Sequence, residues 1–220
     1  MLKDTRLSPF VGTRYPRSKF YKILRIISAL LKISKTIAFI AIFLYIIIGV
    51  INVHRPKSFS LDYPQLVQEQ NSTFPEINKM FNQMTQDPDS INFYEAKAIK
   101  IVDGDTIKVK ITKSYDKTQA IPVNTTCKVR YIGVNTPELA HSIKERDEPL
   151  ARDATDLNRQ LVKGQVLILI PDVQLKDKYG RCLFYVFRED GLMVNWALWH
   201  LGYAKQMTIP PNVRVVFKGE

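Results

Sequence analysis

Three short stretches of this chain gather charged side chains beside residues that turn the backbone. The first is Val102-Asp103-Gly104-Asp105-Thr106, where two carboxylates flank a glycine. Glycine lets the chain bend tightly enough to aim both acids at one point. The second runs Val129-Arg130-Tyr131-Ile132-Gly133-Val134-Asn135-Thr136-Pro137-Glu138. A strand there presents Arg130, and a polar turn fixed by Pro137 offers the Asn135 amide oxygen, the Thr136 carbonyl and the Glu138 carboxylate. The third, Asp177-Lys178-Tyr179-Gly180-Arg181, is a turn that delivers an arginine to the start of a strand. Each stretch alone also fits an ordinary solvated turn. Taken together they hold oxygen ligands suited to a hard cation, a carboxylate able to activate water, and two arginines. An arginine fork meets two phosphate oxygens at once. That is the set phosphodiester hydrolysis requires: neutralised charge, a base, and cations on the phosphoryl oxygens of the transition state.

The elements that must position these groups are mainly strands. Tyr94–Val102 reads as the first, with Asp103-Gly104 as a hairpin signal. Thr106–Ile111 alternates polar and apolar residues, and Cys127–Val134 is a third strand. Leu150, Ala154, Leu157 and Leu161 fall on the stripe of an amphipathic helix with Pro149 at its first turn and Gly164 beyond its end. Val166–Ile170 is a fourth strand of fully buried texture, and Cys182–Phe187 a fifth. Asn195–Leu201 is a closing helix stopped by Gly202, with Trp196 and Trp199 as packing residues. The order predicts an α+β, mainly β domain: a five-stranded OB-fold barrel with a helix between strands three and four.

Residues 94–206 resemble the thermonuclease, staphylococcal-nuclease-like family. The three stretches above carry the resemblance, and Met193-Val194-Asn195 and Gly202-Tyr203-Ala204-Lys205 match the family's closing segment. The resemblance implies a Ca²⁺-dependent endonuclease that hydrolyses DNA and RNA at the 5′-oxygen and leaves 3′-phosphate ends. It implies Arg130, Glu138 and Arg181 as the catalytic trio. It implies Asp105, Asn135 and the Thr136 carbonyl as the calcium site, with Asp103 close behind. Tyr179 and Lys178 fall at the phosphate. Asn135 stands where the family has aspartate, which predicts weaker Ca²⁺ binding. Thr208 and Pro210 stand where a family member has substrate-contacting tyrosines. The alternative is a non-catalytic OB-fold module that binds nucleic acid or protein. No protein partner is predicted.

The chain has 220 residues and a formal charge of +11. Its 45% hydrophobic and 24% charged residues exclude collagen-like and wholly disordered classes. Two cysteines exclude a disulfide scaffold and a four-cysteine zinc site. Cys127 and Cys182 flank the arginine motifs on different strands, and a disulfide and two thiols both fit. With three histidines in all, His141 reads as a surface residue. Residues 94–220 hold 20 bases and 15 acids, a net of only +5. Most of the surplus lies in residues 1–35, where nine Lys/Arg face one acid, Asp4.

Ile37–Ile51 contains no charged residue, and 36–53 gives 18 residues. At about 1.5 Å per residue that is roughly 27 Å of helix, close to a hydrocarbon thickness. The expected organisation is therefore a basic cytoplasmic leader (1–35), a transmembrane helix (36–53), a tether (54–93) with a short helix near Glu76–Met84, and the nuclease-like domain (94–220). The positive-inside bias makes it a single-pass membrane protein with a cytoplasmic N-terminus and an extracytoplasmic catalytic domain. Three rival readings are a secreted chain after signal cleavage, a mitochondrial membrane protein with Phe20–Lys35 as presequence, and a buried core helix.

Overall fold

The computed structural model describes Arg25, Lys32 and residues 37–46, 57–140 and 147–218. The chain divides into two compact units, Met1–Arg55 and Pro56–Glu220. In the first, residues 37–46 are helical (α1). The remainder of the expected span lies outside the described residues, and no described helix is long and apolar enough to cross a membrane.

The second unit is built on five strands: β1 (Tyr94–Ile101), β2 (Thr106–Ser114), β3 (Thr126–Tyr131), β5 (Val166–Ile170) and β6 (Cys182–Arg188). They close in the order β1-β2-β3-β6-β5, with β5 returning to pair with β1. That is the strand order expected of an OB-fold barrel. Alternation fills its interior. Ala96, Ile107, Val109, Val129, Leu167 and Phe184 point inward and are fully buried, while their neighbours along each strand face out. β3 and β6 run parallel, so they need a long crossover. α4 (Ala151–Val162) and β5 supply it. Ala154, Leu157 and Leu161 form the buried stripe of α4 as expected. Leu150 instead caps the helix at φ 66° with its side chain exposed, so Pro149 precedes the helix.

Two further departures shape the site. The third strand stops at Tyr131. Gly133, at φ +83°, turns the chain, and β4 (Gly133–Asn135) pairs with β7 (Lys205–Met207) outside the barrel. α5 (Val194–His200) then packs with Trp196 fully buried.

Residues 57–93 of the stretch read as a tether are folded. α2 (Tyr63–Thr73) and α3 (Pro75–Gln86) belong to the same unit as the barrel. Asp62 caps α2 by accepting from the Gln65 N–H, and Pro64 fits its first turn. α3 buries Ile77, Met80 and Met84, one helical stripe. α2 is fixed by a buried polar residue. The Gln70 amide oxygen accepts from Met193 N at 2.7 Å, and its nitrogen donates to the Gly191 carbonyl at 3.0 Å. A leucine there would leave both backbone groups orphaned. Upstream, Phe59 exchanges two hydrogen bonds with the Gln160 side chain on α4.

Candidate active site

The Asp103–Asp105 loop joins β1 to β2. Gly104 is required there by close approach: a Cβ would lie 2.6 Å from Thr136 Oγ1 and 2.8 Å from Ala154 Cβ. The glycine thus lets the loop sit against the Thr136 turn and α4. Asp103 Oδ1 accepts from Asp105 N at 3.1 Å. Asp105 is 1% exposed. Its Oδ2 accepts from Thr136 N at 2.8 Å and meets Arg130 Nη1 at 2.9 Å. Desolvation pushes the Asp105 carboxyl up to about 6; Arg130 opposes the shift and neighbouring Asp103 adds to it.

Arg130, at the end of β3, is buried too. It donates from Nη1 to the carbonyls of Tyr131 (3.1 Å) and Val134 (2.8 Å), and from Nη2 to Asn135 Oδ1 (2.7 Å). The break between β3 and β4 is what turns those carbonyls and the Asn135 amide toward the guanidinium. Without it, strand three would run straight on and the same groups would be spent in the barrel ladder.

The other arginine sits on an open turn. Asp177 Oδ1 accepts from Tyr179 N and Arg181 N, both at 2.9 Å, and Oδ2 from Arg181 Nε at 2.7 Å. Partial burial pushes the Asp177 carboxyl up, but the Arg181 side chain and these backbone donors outweigh it and hold it below its ordinary range. The Arg181 guanidinium lies 5.5 Å from the centre of the Tyr179 ring, and Lys178 Nζ lies 5.1 Å from it.

The two arginine walls enclose a cavity of about 480 Å³ lined by Arg130, Asn135, Glu138, Lys178, Tyr179 and Arg181 among others. Six residues singled out from sequence therefore meet in one hollow. Glu138 is exposed, and its backbone is held by Glu148, whose Oε2 accepts from Glu138 N at 3.1 Å. Asp103, Asp105 and Thr136 stand behind the Arg130 wall and are buried. A larger hollow of about 790 Å³ beside Phe74, Trp199 and Arg214 holds none of these groups. His141 lies outside the described residues. Among the described residues no three His, Cys, Asp or Glu side chains converge as a metal cluster. The oxygen set here is mixed: two carboxylates, the Asn135 amide and the Thr136 backbone, all hard donors. Two buried acids beside one guanidinium leave an excess of negative charge, which a bound cation would offset. Cys127 and Cys182 are free thiols; hydrogen bonding between them raises the Cys127 thiol and lowers that of Cys182.

Sequence reasoning passed over Asn158. It is fully buried on α4, where its nitrogen donates to the Asp103 carbonyl at 2.9 Å and its oxygen accepts from Tyr131 OH at 2.8 Å. Its signal was an amide directly beside the apolar stripe of α4. Met207 and Ile209 also line the cavity and are exposed, on the wall where Thr208 and Pro210 drew attention.

Comparison with known proteins points the same way. Residues 128–215 match the family model described as staphylococcal nuclease homologue, which leaves the Asp103–Asp105 loop outside the matched segment. The chain is 32% identical over 138 residues to "Endonuclease YhcR" of Bacillus subtilis, covering 60% of this chain and 10% of that protein. It is 33% identical over 120 residues to "Thermonuclease" of Staphylococcus hyicus, covering 54% and 62% respectively. A Staphylococcus intermedius "Thermonuclease" is 34% identical over 115 residues, 51% and 60%. The chain thus spans less than two thirds of the length of each of these relatives.

Proposed function

We propose that this chain is a membrane-anchored nuclease hydrolysing phosphodiester bonds in DNA and RNA, a reading supported by the match of residues 128–215 to the family model described as staphylococcal nuclease homologue. The observation that carries the reading is the single cavity into which Arg130, Arg181, Glu138 and Asn135 all open.

In this reading the scissile phosphate lies between the two arginine walls. Glu138, solvent-exposed at the rim, takes the proton from a water that attacks phosphorus in line with the bond to the 5′-oxygen. That bond breaks, the 5′-oxygen leaves and takes up a proton, and the phosphate stays on the 3′ side. Arg130 and Arg181 donate to the phosphoryl oxygens as their charge grows. The Tyr131 and Val134 carbonyls and Asn135 fix the Arg130 guanidinium in the cavity wall. Tyr179 and Lys178 line the approach. Asp105, Asn135 and the Thr136 carbonyl, with Asp103 behind, are the groups that would hold Ca²⁺. When bound, the cation supplies charge neutralisation at the phosphate.

The anchor is the charge-free run Ile37–Ile51, preceded by nine Lys/Arg. Residues 37–46 of it are helical. The basic flank orients the N-terminus to the cytoplasm and the catalytic domain across the membrane.

Hydrolysis of single-stranded DNA by the full chain in detergent tests the chemistry. Activity should require Ca²⁺, vanish with a chelator, and fall at least a hundredfold in Glu138→Gln. Activity that survives either change defeats the mechanism. Oligonucleotide binding without cleavage under any divalent ion would instead support the non-catalytic module. Protease added to intact cells should abolish the activity, and protection would contradict the topology.

A further inference from the structure

The outer face of β1–β2–β3 carries lysines placed directly against one another. Lys97 lies opposite Lys110 and Lys100 opposite Lys108 across β1–β2; Lys108 lies opposite Lys128 across β2–β3. All five are exposed. Ala96, Ile107, Val109 and Val129, all fully buried, fix the strands' parity, so a register slip cannot relieve the opposition. None of the five side chains makes a hydrogen bond or ion pair among the described residues, whereas Lys113, farther along β2, is paired with Glu95 at 3.0 Å. Like charges directly opposite destabilise a sheet. A single acid among these positions would have relieved them. The face instead concentrates five bases of a region whose net charge is only +5.

The face is continuous with the candidate active site. Lys128 and Arg130 are two residues apart on β3 and so share its outer side, about 6.6 Å apart along the strand. Thr106 stands opposite Arg130 as Lys108 stands opposite Lys128. Arg130 lines the cavity. The row of exposed lysines therefore begins beside the Arg130 wall and runs outward across three strands. Neither aromatic ring of these strands, Tyr94 or Tyr131, reaches the surface, and the exposed Tyr115 just past β2 is already stacked on Phe93 and hydrogen-bonded to Glu95. Its one exposed large apolar residue is Ile99, too little for a surface that inserts among lipids.

Building on the nuclease reading, we propose that Lys97, Lys100, Lys108, Lys110 and Lys128 form a phosphate track that holds the backbone of a single nucleic-acid strand leaving the cavity. Lysine is a mobile point charge that reads no base edge, so the track is indifferent to sequence and favours long substrates.

The test uses the full chain in detergent and the triple variant Lys97→Gln/Lys110→Gln/Lys128→Gln, which touches none of the cavity lining. Removing opposed charges should leave the melting temperature unchanged or raised. Binding is read by fluorescence anisotropy with chelator present, so that no cleavage intervenes; the basic leader is common to both proteins. The affinity for a 30-residue oligothymidylate should fall tenfold or more at low salt. The slope of log affinity against log salt should shrink by about 2, from about 0.7 per lost contact on a single strand. Affinity for a thymidine trinucleotide should not change. A loss of less than twofold on the 30-mer, or an equal loss on the trinucleotide, overturns the proposal. A lysine acetylation footprint separates the rival surface. The 30-mer should protect these lysines, while reconstitution into phosphatidylserine vesicles should not. Protection by the lipid and not by the 30-mer overturns the proposal in favour of a membrane face. A chain that binds through these lysines but never hydrolyses would remove the nuclease reading and leave the track standing. A chain that hydrolyses with binding independent of them removes the track alone.

Discussion

The two walls of the cavity carry the same pair of groups in opposite settings. Arg130 meets Asp105 at 2.9 Å with side chains 10% and 1% exposed; Arg181 meets Asp177 at 2.7 Å with side chains 29% and 16% exposed. The first pair is tied to strand ends, to the Thr136 turn and, through the Asp103 carbonyl, to α4. The second is contained in one five-residue turn. An ion pair taken out of water is costly to break, because the surviving partner stays buried and unpaired. One at the surface is worth little to the fold. The Arg130 wall should therefore couple catalysis to stability, and the Arg181 wall should serve catalysis almost alone.

The sharpest test is a paired substitution. Arg130→Met and Arg181→Met should each lower kcat on single-stranded DNA by about a thousandfold, the upper range for loss of one transition-state donor. In urea titrations Arg130→Met should also cost about 3–5 kcal/mol and Arg181→Met less than about 1 kcal/mol. Equal stability losses would break the comparison.

Acid should separate the walls next. Asp105 titrates higher in the fold, at about 6, than its ordinary 3.8. Its ionisation therefore opposes folding, and stability should decline as pH rises from about 4 to 6. Asp177 is held low, so its contribution is present above 3.8 and is lost as pH falls through its folded value. At the proposed Ca²⁺ site protons would compete with the cation at Asp105, so Ca²⁺ affinity should fall about tenfold per pH unit below about 6. Calorimetric titration from pH 5 to 8 checks this, and Asp105→Asn should abolish the dependence while Asp177→Asn leaves it intact.

Asn158→Leu should act on one wall only. It orphans the Asp103 carbonyl and the Tyr131 hydroxyl, costing about 1–3 kcal/mol. In the proposed site Ca²⁺ binding should weaken about tenfold, because the amide holds the loop that carries Asp105. An unchanged Ca²⁺ affinity would mean the amide is structural only. The smallest effect on activity is expected at Gln70→Leu, remote from both walls. It should lower stability by about 1–3 kcal/mol with kcat unchanged.

The barrel was legible because its signals are local. Alternation in Thr106–Ile111, the apolar run Val166–Ile170 and the stripe of α4 each lie within a dozen residues, and all but Leu150 appear where expected. The second and third charged stretches were legible for the same reason, since each is a turn next to a strand. The helices of residues 63–86 were not. α2 is held by Gln70, whose partners Gly191 and Met193 are some 120 positions away. A buried glutamine is indistinguishable from an exposed one until its partners are known. Asn158 escaped notice for that reason as well.

By itself, then, the amino-acid sequence determined the strand set, the turns that carry Arg130, Glu138 and Arg181, and the charge-free run near the N-terminus. Periodicity and turn chemistry act between neighbours, so they can be read from neighbours. Only the tertiary structure decided that one arginine is buried and the other open, that residues 57–93 belong to the folded unit, and that five scattered lysines face one another across three strands. Burial, charge compensation and strand register are relations between distant residues, and they exist only once the chain has closed on itself.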